Sequence, residues 1–263
     1  MLLAIDVGNT NIVFGLFDDN VLTESWRLAT LRDRTADEFQ VLVSRLLEER
    51  RIDASQIQGV IIASVVPPLT DTVKEMALRC FGENIVTVDS EISTGMPILY
   101  DNPDEVGADR VVNGVAAFQL YGKEHGRPVI VIDFGTATTF DAISASGEYL
   151  GGLICPGVEI SVDALFQRAA RLPRVETKKP PQVIGRTTIG SMQSGLFYGY
   201  VAMVEGIVAR IQRELEPTSN HAVICVATGG MAKVIAPETP AIQHVNPNLT
   251  LEGLRLVWNR NIP

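Results

Sequence analysis

Residues 3–20 read Leu3-Ala4-Ile5-Asp6-Val7-Gly8-Asn9-Thr10-Asn11-Ile12-Val13-Phe14-Gly15-Leu16-Phe17-Asp18-Asp19-Asn20. An apolar run ends in a D-x-G turn, a second extended run follows, and polar residues reverse the chain. That is the pattern of a β-hairpin opening a sheet. The order recurs at 130–147, IVIDFGTATTFDAISASG, where Ile132, Asp133 and Gly135 lie 127 positions after Ile5, Asp6 and Gly8. The shared context of these three identities predicts a duplicated unit.

The segments that follow each hairpin fit that reading. Val21–Ala29 reads as a strand. Phe39, Leu42, Val43, Leu46 and Leu47 are spaced for a helix over 35–51, with Thr35 as its cap and Glu38 completing a capping box. Gly59–Val66 is a β-branched strand stopped by Pro67-Pro68, a helix is expected at about 69–81, and a strand at Asn84–Val88. In the second half the patterning predicts strands at 129–134, 138–144, 148–155 and 222–228. Helices are expected at about 158–170, 188–214 and 251–259, and the proline-bearing stretch 171–187 is the expected mobile loop. Strands alternate with helices, so the class is α/β. The expected division is 1–115 and 116–263.

Composition narrows the function. The 263 residues carry a formal charge of −9, which disfavours a phosphate-backbone partner, and no nucleic acid is expected. The basic cluster at Lys178-Lys179 reads as a solvated loop. Cys80, Cys155 and Cys225 are far apart and form no C-x-x-C pair, and His125, His221 and His244 lack metal spacing. No apolar run approaches the roughly 18 residues a membrane span needs, and the N-terminus has no signal pattern, so a cytoplasmic protein is expected. Among the 22 glycines no two are separated by a single residue, which removes G-x-G-x-x-G. The P-loop pattern and the G-x-S-x-G nucleophile turn are also absent.

What remains is a pair of anion-facing turns. Asp6-Val7-Gly8-Asn9-Thr10-Asn11 follows a strand, and a turn of Gly, Asn and Thr presents N–H and side-chain donors suited to phosphate oxygens. Asp6 is placed to hold Mg²⁺, directly or through water. Such a turn also occurs in ordinary hairpins, but its recurrence at Asp133-Phe134-Gly135-Thr136-Ala137-Thr138-Thr139 favours a nucleotide clamp. A third turn, Ala227-Thr228-Gly229-Gly230-Met231, suits the approach of a flat adenosine. Gly107-Ala108-Asp109-Arg110 opens a helical run and offers a carboxylate base and a guanidinium fork. From these residues alone, a helix-dipole partner or a surface Asp-Arg pair is the favoured reading.

Taken in order, Asp6-x-Gly8-Asn9-Thr10-Asn11, Gly107-Ala108-Asp109-Arg110, Asp133-x-Gly135-Thr136-Ala137-Thr138-Thr139 and Gly151-Gly152-x-Ile154-x-Pro156-Gly157 resemble the signature set of type III pantothenate kinases. The likeness continues through Gly185-Arg186-Thr187-Thr188 and Ser194-Gly195 to Gly229-Gly230. This family sits in the acetate and sugar kinase/Hsp70/actin superfamily. The resemblance implies duplicated actin-like (ribonuclease H-like) domains with a cleft between them. It also implies ATP-dependent phosphorylation of pantothenate to 4′-phosphopantothenate, the first step of coenzyme A synthesis.

By the same resemblance, Asp6, Val7, Gly8, Asn9, Thr10, Asn11, Ile12, Val13 and Thr136 bind ATP, and Asp109 is the proton acceptor. Tyr100, Gly107, Ala108, Asp109, Arg110 and Thr188 contact pantothenate. Asp133 binds a monovalent cation (K⁺ or NH₄⁺), with Mg²⁺ accompanying ATP. A homodimer is implied as well. Gly195, Gly199, Ala202 and Gly206 form a smooth helix face that suits close packing, within a chain or between chains. The alternatives are a regulatory relative that binds nucleotide or pantothenate without turnover, and a superfamily kinase acting on another small molecule.

Overall fold

The computed structural model describes residues 1–89, 92–215 and 222–262. Contacts divide the chain into two units: Met1–Met96, Asp101–Ala116 and Thr250–Pro263 form one, and Pro97–Tyr100 with Ala117–Leu249 form the other.

The first unit opens with β1 (Leu2–Val7), β2 (Asn11–Asp18) and β3 (Val21–Ala29), an antiparallel meander. α1 (Ala36–Glu49) follows, capped as its sequence predicts: Thr35 Oγ1 accepts from the Glu38 N–H at 3.3 Å, and the Glu38 carboxylate accepts from the Thr35 N–H at 2.7 Å. These bonds hold the Glu38 carboxyl below its ordinary pKa. α1 is the crossover that lets β4 (Gly59–Ser64) pair parallel to β1, and α2 (Pro67–Phe81) does the same for β5 (Ile85–Thr87) beside β4. α2 begins at Pro67, two residues before the expected start, because a first-turn proline sacrifices no intrahelical bond. The sheet order is β3-β2-β1-β4-β5. Leu3, Ile5, Val7, Phe14 and Ile62 pack into one core with Phe39, Val43 and Leu47 of α1 and Val73 and Met76 of α2. Each such fully buried side chain contributes about 1.5–3 kcal/mol relative to exposure. The unit also holds α3 (Ala108–Ala117) as far as Ala116.

The second unit repeats the plan. β6 (Val129–Phe134), β7 (Ala137–Ile143) and β8 (Tyr149–Pro156) form the meander, and β9 (Ile224–Gly229) and β10 (His244–Val245) extend it in parallel, in the order β10-β9-β6-β7-β8. Matching β6 to β1 and so on outward, the two orders are identical. α4 (Val158–Arg168), α5 (Thr188–Leu215) and α6 (Ala232–Ile235) supply Val158, Phe197, Val201, Val204, Val208 and Ile235 to a core under Ile130, Ile132 and Phe140. In the 171–187 stretch Val175 is buried and packs with Val162, Met192 and Leu196. A five-residue π turn at Phe118–Gly122 and a 3₁₀ turn at Lys123–His125 lead into β6 and had no signal in the periodicity.

α7 (Leu249–Asn261) differs from a single cut at 115/116, because from Thr250 onward it groups with the first unit. Leu251 and Trp258 lie over β2 and β4 at Gly15 and Gly59, and Gly253 brings the helix against the Val112 carbonyl of α3. The Thr250 hydroxyl adds a 2.8 Å bond to Asn113 Oδ1. The returning helix thus supports the one that carries Asp109. Among the described residues no helix is long and apolar enough to cross a membrane.

Candidate active site

Asp109 sits in the first turn of α3, where its Oδ1 accepts the Arg110 N–H at 2.8 Å. The residue as a whole is half-buried, and burial of the carboxyl dominates and pushes its pKa above the aspartate value of 3.8. The Arg110 N–H and guanidinium oppose that shift. Gly107 is required by the same arrangement: a methyl group there would stand 2.6 Å from Asp109 Oδ1. Gly107, Asp109 and Arg110 are therefore one structural device, a bare backbone beside a carboxylate of raised basicity. Arg110 itself is buried, so an anion meeting it would do so largely out of water.

Asp6 is the penultimate residue of β1, opposite Val13, and its turn closes with the Gly8 N–H donating to the Asn11 carbonyl at 3.0 Å. Asn9 and Thr10 are exposed at the tip, while Val7 and Ile12 are buried in the sheet. Asp133 is the penultimate residue of β6, opposite Thr139, and Gly135 N–H donates to Ala137 O at 3.0 Å. Here Gly135 and Thr136 are exposed. The second turn is one residue shorter, so the offset of 127 holds up to Gly135 and becomes 126 in β7. By register Thr136 is the counterpart of Thr10. The carboxylates also differ in their neighbours. Asp6 lies between Val13 and Ala63, whereas Asp133 lies between Thr139 and Thr228, an oxygen-rich setting.

Among the described residues no group of three or more His, Cys, Asp or Glu side chains could cage a metal. Single carboxylates at strand ends instead fit a cation held jointly with phosphate or with neutral oxygens. Gly229 takes a φ of +85°, and a side chain there would strike Asp133 Oδ1 and the Phe134 carbonyl at 2.5 and 2.6 Å. Its backbone is thus committed to the β6 end. Gly230, with open space beside it, is the residue of that turn that faces outward.

Tyr100 leans on Tyr149, with ring centroids 6.4 Å apart, above Gly151. Two backbone bonds of 2.8 Å tie residues 97–99 to Tyr149, and the Tyr149 hydroxyl donates to the buried Asp141 carboxylate at 2.6 Å. The Thr139 hydroxyl donates to that carboxylate as well, at 3.1 Å. The sequence reading missed Asp141, although a lone Asp in an otherwise apolar strand (Phe140-Asp141-Ala142-Ile143) was a readable anomaly.

Thr188 is exposed on the first turn of α5 and lines a groove of about 1050 Å³ with Gly185, Arg186 and Thr187. None of the other residues selected for ATP or pantothenate lines it. Gly195 and Gly199 border the same groove with nothing within 4 Å of a Cβ position, so that small-residue face is open within the chain. The cysteines are free, and burial pushes Cys225 up to about 12, an inert thiol. His125 and His244 are exposed, His244 stacking on Tyr121 at 4.7 Å, and His221 lies outside the described residues.

Comparison with known proteins follows the same lines. The chain is 15% identical to an inorganic polyphosphate/ATP-glucomannokinase from Arthrobacter sp. strain KM. The TM-score is 0.51 over 98% of this chain and 97% of that one, a likeness of fold. It is 53% identical to a type III pantothenate kinase of Moorella thermoacetica, covering 99% of this chain and 100% of the relative. It is 54% identical to a type III pantothenate kinase of Myxococcus xanthus over 99% of each. The type III pantothenate kinase profile matches residues 2–210, which span both D-x-G turns, the Gly107–Arg110 segment and most of α5. The chain belongs to the type III pantothenate kinase family.

Proposed function

We propose that this chain transfers the γ-phosphoryl group of ATP to pantothenate, forming 4′-phosphopantothenate for coenzyme A synthesis, with Asp109 as the general base. The observation that carries the assignment of the base is the environment of Asp109: a carboxylate whose pKa burial raises, with an arginine next to it and a bare glycine backbone beside it. Phosphoryl transfer asks little covalent work of the protein. It needs an aligned acceptor, charge stabilisation and removal of one proton. Asp109 accepts the proton of the attacking hydroxyl, and Arg110, Gly107, Ala108, Tyr100 and Thr188 orient pantothenate.

Asp6, the turn through Val13, and Thr136 hold the triphosphate. Asp6 is the site for Mg²⁺, which when bound neutralises phosphate charge. The Asp133 carboxylate between Thr139 and Thr228 suits a monovalent cation, since weakly hydrated ions accept mixed carboxylate and hydroxyl oxygens without strict geometry. The protein acts as a cytoplasmic homodimer. Support for the dimer comes from the open Gly195/Gly199 face and from exposed Ile154, Ile160, Phe166, Ile184 and Ile189.

The test is production of 4′-phosphopantothenate from pantothenate and MgATP, followed by mass spectrometry, with K⁺, NH₄⁺ or Na⁺ as the only monovalent cation. Product that depends on Asp109 and rises with K⁺ or NH₄⁺ supports the reading. Tight nucleotide binding with no product from pantothenate, or product only from a sugar or acetate, overturns it.

A further inference from the structure

In each sheet the third strand leaves its hairpin beside the opening turn. Asn11 pairs with Ala29 in the first unit and Ala137 with Pro156 in the second. Thr30 and Gly157, the residues immediately after those partners, are therefore equivalent positions. They keep the 127-residue offset that relates Asp6 to Asp133, whereas Thr10 and Thr136 differ by 126, because the second turn is one residue shorter.

Both residues touch the backbone of their turn, by different means. Thr30 donates twice: its N–H to the Thr10 carbonyl at 3.0 Å and its hydroxyl to the Gly8 carbonyl at 2.7 Å. Gly157 lies directly against the corresponding carbonyls. A methyl group on it would stand 2.1 Å from the Thr136 oxygen and 2.7 Å from the Gly135 oxygen. A hydrogen fits there and no heavy atom does, so the contact is the close C–H···O approach that only glycine permits. Gly157 is also the N-cap of α4, its own carbonyl accepting from the Ser161 N–H at 3.0 Å.

A carbonyl oxygen drawn toward Thr30 or Gly157 cannot face a phosphate oxygen, with which it would repel. The exposed Asn9, Thr10 and Thr136 then form the donor side of the turns, the Gly135 N–H being bonded to the Ala137 carbonyl. We propose that Thr30 and Gly157 are equivalent positioning residues, each bracing the carbonyl side of one phosphate-facing turn so that its donor side meets ATP. The proposal rests on the assignment of these turns to ATP. It gives Gly157 a role that its place in a family signature leaves unexplained.

The experiment compares Thr30→Val, Thr30→Ser and Gly157→Ala with the wild-type protein. It measures steady-state kinetics in both substrates and calorimetric affinity for a non-hydrolysable ATP analogue. Thr30→Val keeps the shape and removes the hydroxyl. The expected result is a rise of about five- to tenfold in KM for ATP and in the analogue Kd, the usual worth of one such bond. kcat and the KM for pantothenate should stay within about twofold, and Thr30→Ser should restore ATP affinity. Gly157→Ala, folded by circular dichroism, should weaken the analogue more than Thr30→Val does, because backbone must move rather than a bond be lost.

Wild-type ATP affinity in Thr30→Val, or equal impairment in Val and Ser, refutes the brace at Thr30. A folded Gly157→Ala with unchanged affinity refutes it at Gly157, and should that variant not fold, the Thr30 pair still decides the proposal. Asn9→Asp separates this from the parent reading by placing a negative charge at the tip. If it leaves the analogue Kd unchanged, the turn does not hold phosphate at all. If it weakens binding while Thr30→Val is silent, only the brace is wrong.

Discussion

Replacing Asp109 by Asn isolates proton acceptance from geometry. The amide is isosteric, its Oδ1 can keep the 2.8 Å bond from the Arg110 N–H, and the bare Gly107 leaves the same room beside it. What disappears is the basic site. General base catalysis contributes about 10²–10⁴-fold, so kcat should fall by that factor, or ~2.7–5.5 kcal/mol in the barrier. KM for ATP should change little, since the turns proposed to hold ATP are other segments of the chain.

Burial raises the Asp109 pKa above 3.8, so the acid limb of wild-type kcat/KM should lie above that value and vanish in the variant. Stability should move the opposite way. A carboxyl whose folded pKa is raised binds its proton more tightly in the folded state. The stability this brings is complete below about pH 3.8 and is lost as pH climbs through the folded pKa. Asn carries no such ionisation penalty, so Asp109→Asn should melt higher than wild type at neutral pH. The two curves should converge below about pH 4. Turnover within a few-fold of wild type would exclude Asp109 as the base, and an Asn variant that melts lower at neutral pH would refute the burial argument.

Three further outcomes follow from named contacts. Gly107→Ala places a methyl 2.6 Å from Asp109 Oδ1. The carboxylate must rotate away, and kcat should drop about tenfold or more at nearly unchanged KM for ATP, a displacement effect of the size expected for misplaced catalytic groups. Tyr149→Phe removes the 2.6 Å donor to buried Asp141, so the melting temperature should fall by an amount equivalent to about 1–3 kcal/mol. The KM for pantothenate should rise while that for ATP holds, and a rise confined to ATP would break the link from Tyr149 to Tyr100. Thr35→Ala removes the capping box of α1 and should cost about 1 kcal/mol, or roughly 2–4 °C in melting temperature, without touching kinetics.

Much of this molecule was decided by interactions short in sequence, and those were legible. The Thr35–Glu38 capping box, the 3.6-residue spacing of Phe39, Val43 and Leu47, the alternation into buried strands and the two D-x-G turns need only neighbours a few residues away. What tertiary structure alone decided depends on pairing across long stretches of chain. The return of α7 to the first unit rests on Gly253 meeting Val112 and on Trp258 covering Gly59, contacts between segments whose separation carries no periodic signal. Asp141, missed in the sequence, is explained only once the β7–β8 hairpin brings the Tyr149 hydroxyl to a carboxylate that Thr139, two residues back on the same strand, also meets. Thr30 and Gly157 keep the 127-residue offset of the two D-x-G turns, but as unlike residue types they gave no signal of equivalence. Only the hydrogen-bond register set both against the carbonyls of their turns, because a contact across a sheet is fixed by strand pairing and not by residue type.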